Sequence, residues 1–204
     1  MKEKLKWFFE SFIWLFVLGL VIDIVSKLVI KNNMTPGDSI VLIPHFLAIT
    51  FSYNEAAAFG MGFSNPEVNK WLYIAVAIIA SAAIIFFYVK KFKTFGKFVK
   101  ACLMCILVGA IGNLIDRFAY GKVVDFIDFF GIWHAIFNVA DSFIVVGTIM
   151  LVVYLIIGEV KDFKAKRAEE AEEGNEKLLS KTEQEQLERD AKEQESDKSD
   201  KVEN

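Results

Sequence analysis

The sequence predicts an all-α membrane protein: four transmembrane helices, a small extracytoplasmic β platform and an acidic C-terminal tail that is disordered or helical. Three observations predict it. Of 204 residues, 54% are hydrophobic and 20 are Phe, a composition that points away from a soluble domain. Four apolar stretches approach the roughly 20 residues a helix needs to cross a bilayer. Basic residues gather in three clusters, and four crossings bring all three to one side.

The first expected span covers residues 7–30, behind Lys2, Lys4 and Lys6. Its apolar run is too long for a cleaved signal peptide and no small-x-small site closes it, so it reads as retained. Glu10, near its basic end, reads as a carboxylate reaching for the interface. The second and third spans cover 71–89 and 98–115, with Lys90, Lys91, Lys93, Lys97 and Lys100 at the turn between them. The fourth covers 139–157 and is followed by Lys161, Lys164, Lys166 and Arg167. The positive-inside rule then puts both termini in the cytoplasm and the connections 31–70 and 116–138 outside. Trp7, Trp71 and Trp133 fall near the expected interfaces.

The first outer connection opens on a turn cluster, Asn32 to Asp38, with Pro36 and Gly37. Two short β-branched runs follow, 39–43 and 47–51, and read as a strand pair resting on the membrane surface. The domain division falls at residue 160. Residues 161–204 hold 10 Lys/Arg against 15 Asp/Glu, a charge of −5, while residues 1–160 carry +2. The tail's composition does not bury enough surface to fold alone, although a frayed helix over 165–195 is compatible with it.

Cys102 and Cys105 have CxxC spacing in uniformly apolar surroundings and read as packing. His45 and His134 have no metal-ligand spacing to each other or to cysteine. The chain has no phosphate-cradling glycine loop and no nucleophile elbow. No metal, no cofactor and no nucleic-acid partner is expected.

The chemistry lies in the polar residues at the outer ends of the spans. Asp23 and Lys27 are one helical turn apart and suit an ion pair. Asn54, then Asn113, Asp116 and Arg117, then Asp125 and Asp128, then Asn138 and Asp141 arrive from separate segments at one expected depth. Carboxylates in or beside a span are costly unless paired or used. Asp125 and Asp141 have no cation at helical spacing; Lys122 is the sequence neighbour that could pair with Asp125. Two carboxylates brought close share a proton, so that one serves as base and the other as acid. Asp141, in a helix's first turn, is the candidate for the charged member. Asp125 and Asp128 are alternatives as its partner: a strand points them to opposite faces, a helix to the same one. Asn54 and Asn138 read as hydrogen-bonding braces, with Asn138 suited to capping the fourth helix.

Together these stretches resemble the lipoprotein signal peptidase (signal peptidase II) family. The likeness runs from about residue 10 to 157 through Asp23 with Lys27, Tyr53-Asn54 to Gly60, Gly109 to Arg117, Gly121 to Phe129, and Phe137-Asn138-Val139-Ala140-Asp141. The resemblance implies an intramembrane aspartic endopeptidase that cuts prolipoproteins before a diacylglyceryl-modified cysteine, with prolipoprotein and membrane lipid as partners. It implies Asp125 and Asp141 as the catalytic pair, in preference to Asp128. Asn54, Asn113, Asp116, Arg117, Asn138, Ala140, Asp23 and Lys27 are implied as substrate-binding or supporting residues. Ala56 stands where the family usually has glycine. A transporter would instead space ionisable groups through the full depth, and a scaffold binding through its tail leaves both aspartates without a role.

Overall fold

The computed structural model describes residues 2–55, 65–133 and 135–200. In chain order the elements are α1 (Lys2–Glu10), α2 (Ile13–Asn33), β1 (Ser39–Ile43), β2 (Leu47–Asn54), α3 (Pro66–Lys90), α4 (Lys97–Tyr120), β3 (Val123–Asp128), β4 (Ile136–Phe137) and α5 (Val139–Asp200). The chain divides into two units, Met1–Val153 and Tyr154–Asn204. The first unit carries the sheet and the packed helices. The second is helical as far as Asp200, one of the two states expected of the tail.

Four helices are long and apolar enough to cross a bilayer: Ile13–Asn33, Glu67–Lys90, Lys97–Tyr120 and Val139–Glu172. α4 is the central one. Half of its apolar window is buried, against 17% for α2 and α3 and 6% for the last span, so those three turn most of their surface outward. Apolar surface facing lipid carries no aqueous penalty, and close helix contacts depend on small residues instead. A β-carbon at Gly109 would stand 2.2 Å from the Ala140 carbonyl oxygen, and one at Gly112 would stand 2.4 Å from an Asp23 carboxylate oxygen. Glycine at these two positions lets α4 meet the start of α5 and the middle of α2.

The first expected span is corrected by the structure. Residues 7–30 do not form one helix; the chain breaks at Ser11-Phe12, where Phe12 takes φ 53° in the left-handed region. The Ser11 hydroxyl donates to the Phe8 carbonyl at 2.9 Å, and the Tyr88 hydroxyl donates to the Ser11 carbonyl. A local serine hydroxyl and a tyrosine from a distant part of the chain thus replace part of the interrupted ladder. Glu10 falls in α1 rather than inside a span and stands 3.8 Å from Lys97. With the helix starting at Ile13, Asp23 sits at the midpoint of the 21-residue α2 rather than in its outer half, where the sequence placed it.

The sheet is larger than the strand pair expected. Its order is β1-β2-β3-β4, with every neighbouring pair antiparallel. Phe51, Val124 and Phe126 form its buried core against Ile30 and Met34 of α2 and its C-cap. β1 is exposed along its whole length. β3 follows α4 directly because Gly121 ends that helix in the left-handed conformation at φ 73°, its N–H returning to the Arg117 carbonyl. The sequence does not predict the strands at 123–128 and 136–137, leaving the first open between strand and helix, because each run is short and carries charge or lies beside a turn.

Candidate active site

The site is built where α2, α4, β3 and the start of α5 converge. Asn138 precedes the first residue of α5 and caps it: its side-chain oxygen accepts the Asp141 N–H at 2.9 Å, and its own N–H donates back to Asp141 Oδ2 at 3.2 Å. This reciprocal arrangement is a capping box, with aspartate in the third helical position. It holds the Asp141 side chain against the helix start, where the dipole favours a negative charge.

The other end of the Asn138 amide is also fully used. Its Nδ2 donates to Asp125 Oδ1 at 2.7 Å and to Asn113 Oδ1 at 3.0 Å. Asp125 takes a second hydrogen bond on Oδ2 from Asn54 Nδ2, at 2.9 Å. Asp141 takes one on Oδ1 from Asn113 Nδ2, at 2.7 Å. Asp125 and Asp141 are therefore both bonded to Asn138, and each carboxylate has a donor on both oxygens. Asp125 is 2% exposed. Burial, and then the charge of Asp141, push its carboxyl up to about 7, while the hydrogen bonds from Asn54 and Asn138 hold it from rising further.

Strand geometry separates the two candidates in β3. Asp125 pairs with Ser52 across the ladder and is buried, whereas Asp128 accepts from the Thr50 hydroxyl at 2.7 Å on the sheet's other contacts. Residues three apart in a strand face opposite ways. Lys122 does not pair with Asp125 as the sequence suggested; its ammonium lies 3.8 Å from the centre of the Tyr53 ring. Cation–π attraction occupies it there.

Beneath the pair lies a buried ionic cluster. Lys27 Nζ reaches Asp23 Oδ2 at 2.8 Å, Asn113 Oδ1 at 3.1 Å and Asp116 Oδ2 at 3.2 Å. The expected Asp23–Lys27 pair thus forms, and Asp116 joins it. Asp23 Oδ1 accepts the Ala140 N–H at 2.8 Å, and Asp116 Oδ2 accepts the Val124 N–H at 3.0 Å. The ammonium donates hydrogen bonds to Asp23 and Asn113 and forms an ion pair with Asp116, the kind of pairing under which buried charge is tolerated. Lys27 also fixes which way Asn113 faces: with the amide oxygen held by Lys27 and Asn138, the NH2 end is turned to Asp141.

Asn54, Asn113, Arg117, Asp125 and Asp141 line one cleft of about 1030 Å³. Its apolar wall comes from Ile132, Trp133, Ile136, Phe137, Ile144 and Val145; the sequence marks Trp133 as an interface aromatic and Phe137 as part of the motif ending in Asp141, and does not single out the other four. Arg117 is further held by the Asn113 carbonyl at 3.4 Å and lies 5.4 Å from the Tyr73 ring. Ala140, fully buried, serves through its backbone N–H. Ala56 and His134 lie outside the described residues.

Four helices able to span a bilayer, with a carboxylate-lined cleft where α4 and the start of α5 meet the sheet, define a multi-pass membrane enzyme of the protease class. Residues 15–157 match the family described as signal peptidase (SPase) II. A lipoprotein signal peptidase of Clostridioides difficile is 36% identical over 151 residues, 74% of this chain and 97% of the relative. One from Fusobacterium nucleatum is 35% identical over 142 residues, 70% of this chain and 84% of the relative. A solved bacterial membrane enzyme structure at 2.3 Å resolution is 36% identical, with a TM-score of 0.65, covering 71% of this chain and 86% of that one. The chain belongs to the signal peptidase II family.

Proposed function

We propose that this chain removes signal peptides from prolipoproteins by aspartic proteolysis, with Asp125 and Asp141 as the reacting pair. The observation that carries the assignment is the sharing of Asn138 by two carboxylates in one cleft. Asp125, with its carboxyl near 7, enters the reaction as the acid. Asp141, set at a helix start, enters as the base, though the proton belongs to the pair rather than to either member. Asp141 takes a proton from water, the water oxygen attacks the scissile carbonyl, and Asp125 protonates the carbonyl oxygen. Collapse of the tetrahedral intermediate releases the amine, which leaves with a proton from the pair.

Asn54, Asn113 and Asn138 hold the two carboxylates, and Arg117 offers its planar donors to the carbonyls of a bound backbone. Lys27, Asp23, Asp116 and the Ala140 N–H fix the floor. The bond cut lies just before a diacylglyceryl-modified cysteine. The acyl chains stay in lipid and set the depth of the peptide, while the apolar wall from Ile132 to Val145 takes the leader. Both termini face the cytoplasm, and the cleft opens on the other side, following the lysine clusters.

The test is cleavage of matched lipidated and unlipidated precursor peptides by the purified chain in detergent. The lipidated peptide is cut and the unlipidated one is cut poorly. Asp125→Asn and Asp141→Asn each lower turnover by at least about a hundredfold while remaining folded. Near-wild-type turnover in either variant overturns the pair.

A further inference from the structure

The start of α4, at the far end of that helix from the cleft, has an unbalanced positive charge. Lys100 lies 13 residues before Asn113, roughly 20 Å along the axis. The residue is 8% exposed, and its ammonium is met by the Phe92 ring, 3.8 Å to the centroid, and by no carboxylate, carbonyl or hydroxyl among the described residues. The stem of Lys100 is packed away while its ammonium reaches the surface, where it favours a counter-charge. The ring face supplies only part of one.

The surroundings make the imbalance worse. α4 opens on Gly96, which provides no side-chain cap, and has no acidic residue in its first turn. The positive end of its dipole therefore faces Lys97 and Lys100, the sign that destabilises a helix start. Side chains in a helix lean toward its N-terminus, so Lys100 lies over this same turn. Lys90, Lys91 and Lys93 precede it, and no Asp or Glu occurs between Glu67 and Asp116. Among the described residues Glu10 is the carboxylate brought near, and it stands 3.8 Å from Lys97, whose side chain is 73% exposed. Trp7 of α1 packs against Phe92 at 6.4 Å between ring centroids, so an exposed aromatic of the kind found at bilayer interfaces borders the site.

We propose that the α3–α4 turn and the start of α4 bind the phosphate of an anionic phospholipid headgroup, with Lys100 as the inner contact and Lys97 as the outer one. A phosphodiester there accepts from the ammonium and from the uncapped end of the helix, as anions do at helix starts. Its acyl chains lie along the outward surfaces of α3 and α4. The site is separate from the cleft and does not depend on the proteolytic assignment.

The experiment uses the full chain in nanodiscs of phosphatidylcholine, with and without phosphatidylglycerol, and in phosphatidylcholine with added inorganic phosphate. Retained lipid is counted by native mass spectrometry, and the thermal unfolding midpoint is measured alongside. Phosphatidylglycerol is retained over phosphatidylcholine by about fivefold for each paired lysine, from roughly 1 kcal/mol per lysine near an anionic surface, and it raises the midpoint. Lys100→Met keeps the length of the side chain, is at least as stable as the wild type in phosphatidylcholine, and loses the preference. Lys100→Arg keeps it. Lys97→Gln weakens it and offers a second reading if the Met variant does not fold. Equal retention of the two lipids by the wild type, or an undiminished preference in Lys100→Met, overturns the proposal. An equal rise of the midpoint with inorganic phosphate overturns the assignment to lipid.

Discussion

Asp125→Asn should stabilise the fold above neutral pH while stopping catalysis, because the wild-type carboxylate is held where its charge is unwelcome. A rise from the ordinary 3.8 to about 7 corresponds to roughly 4 kcal/mol at 1.36 kcal/mol per tenfold. The sign follows from proton binding. Between those two values the folded chain holds a proton that the unfolded chain has released, so stability falls as pH rises. The contribution is fully present below about 4, is lost progressively toward 7, and is flat above. Asparagine has no charge to lose. It does set an NH2 against one of two incoming donors, Asn54 Nδ2 or Asn138 Nδ2, at about 1–3 kcal/mol. That cost is independent of pH, so the difference between the proteins isolates the ionisation. Denaturant or thermal unfolding of both proteins in one mild detergent, from pH 4 to 8, should show the variant gaining several kcal/mol on the wild type across the interval. A difference that does not change with pH would refute the reasoning about Asp125.

Three further outcomes follow from the same network. Lys27→Met leaves Asp23 and Asp116 buried without their cation and should cost about 3–5 kcal/mol in unfolding free energy; adding Asp23→Asn should recover part of it in a double-mutant cycle. Asn138→Ala removes the α5 cap, about 1 kcal/mol, and leaves the Asp141 N–H and one Asp125 oxygen unmet; turnover per folded molecule should fall with stability when both are measured on the same sample. Gly112→Ala gains about 1 kcal/mol of helix propensity but drives a methyl into the Asp23 carboxylate, which Lys27 and the Ala140 N–H prevent from moving, so the unfolding midpoint should drop.

What the linear chain determined follows from periods and from charge. Four apolar runs, the one-turn spacing of Asp23 and Lys27, and Asn138 three residues before Asp141 are local features. Helix geometry alone converts them into spans, an ion pair and a cap. The choice between Asp125 and Asp128 rested on resemblance, because nothing local says whether the stretch is strand or helix; the ladder with β2 makes it a strand and turns the two apart. The break at Ser11-Phe12 was not legible, since it depends on a hydroxyl from Tyr88, 77 residues away. Neither was the reach of Lys27 to Asn113, 86 residues on, which turns a helical ion pair into the support for Asp141. Tertiary structure decided these because a buried polar group takes whichever partner lies within about 3 Å, and only packing brings that partner there.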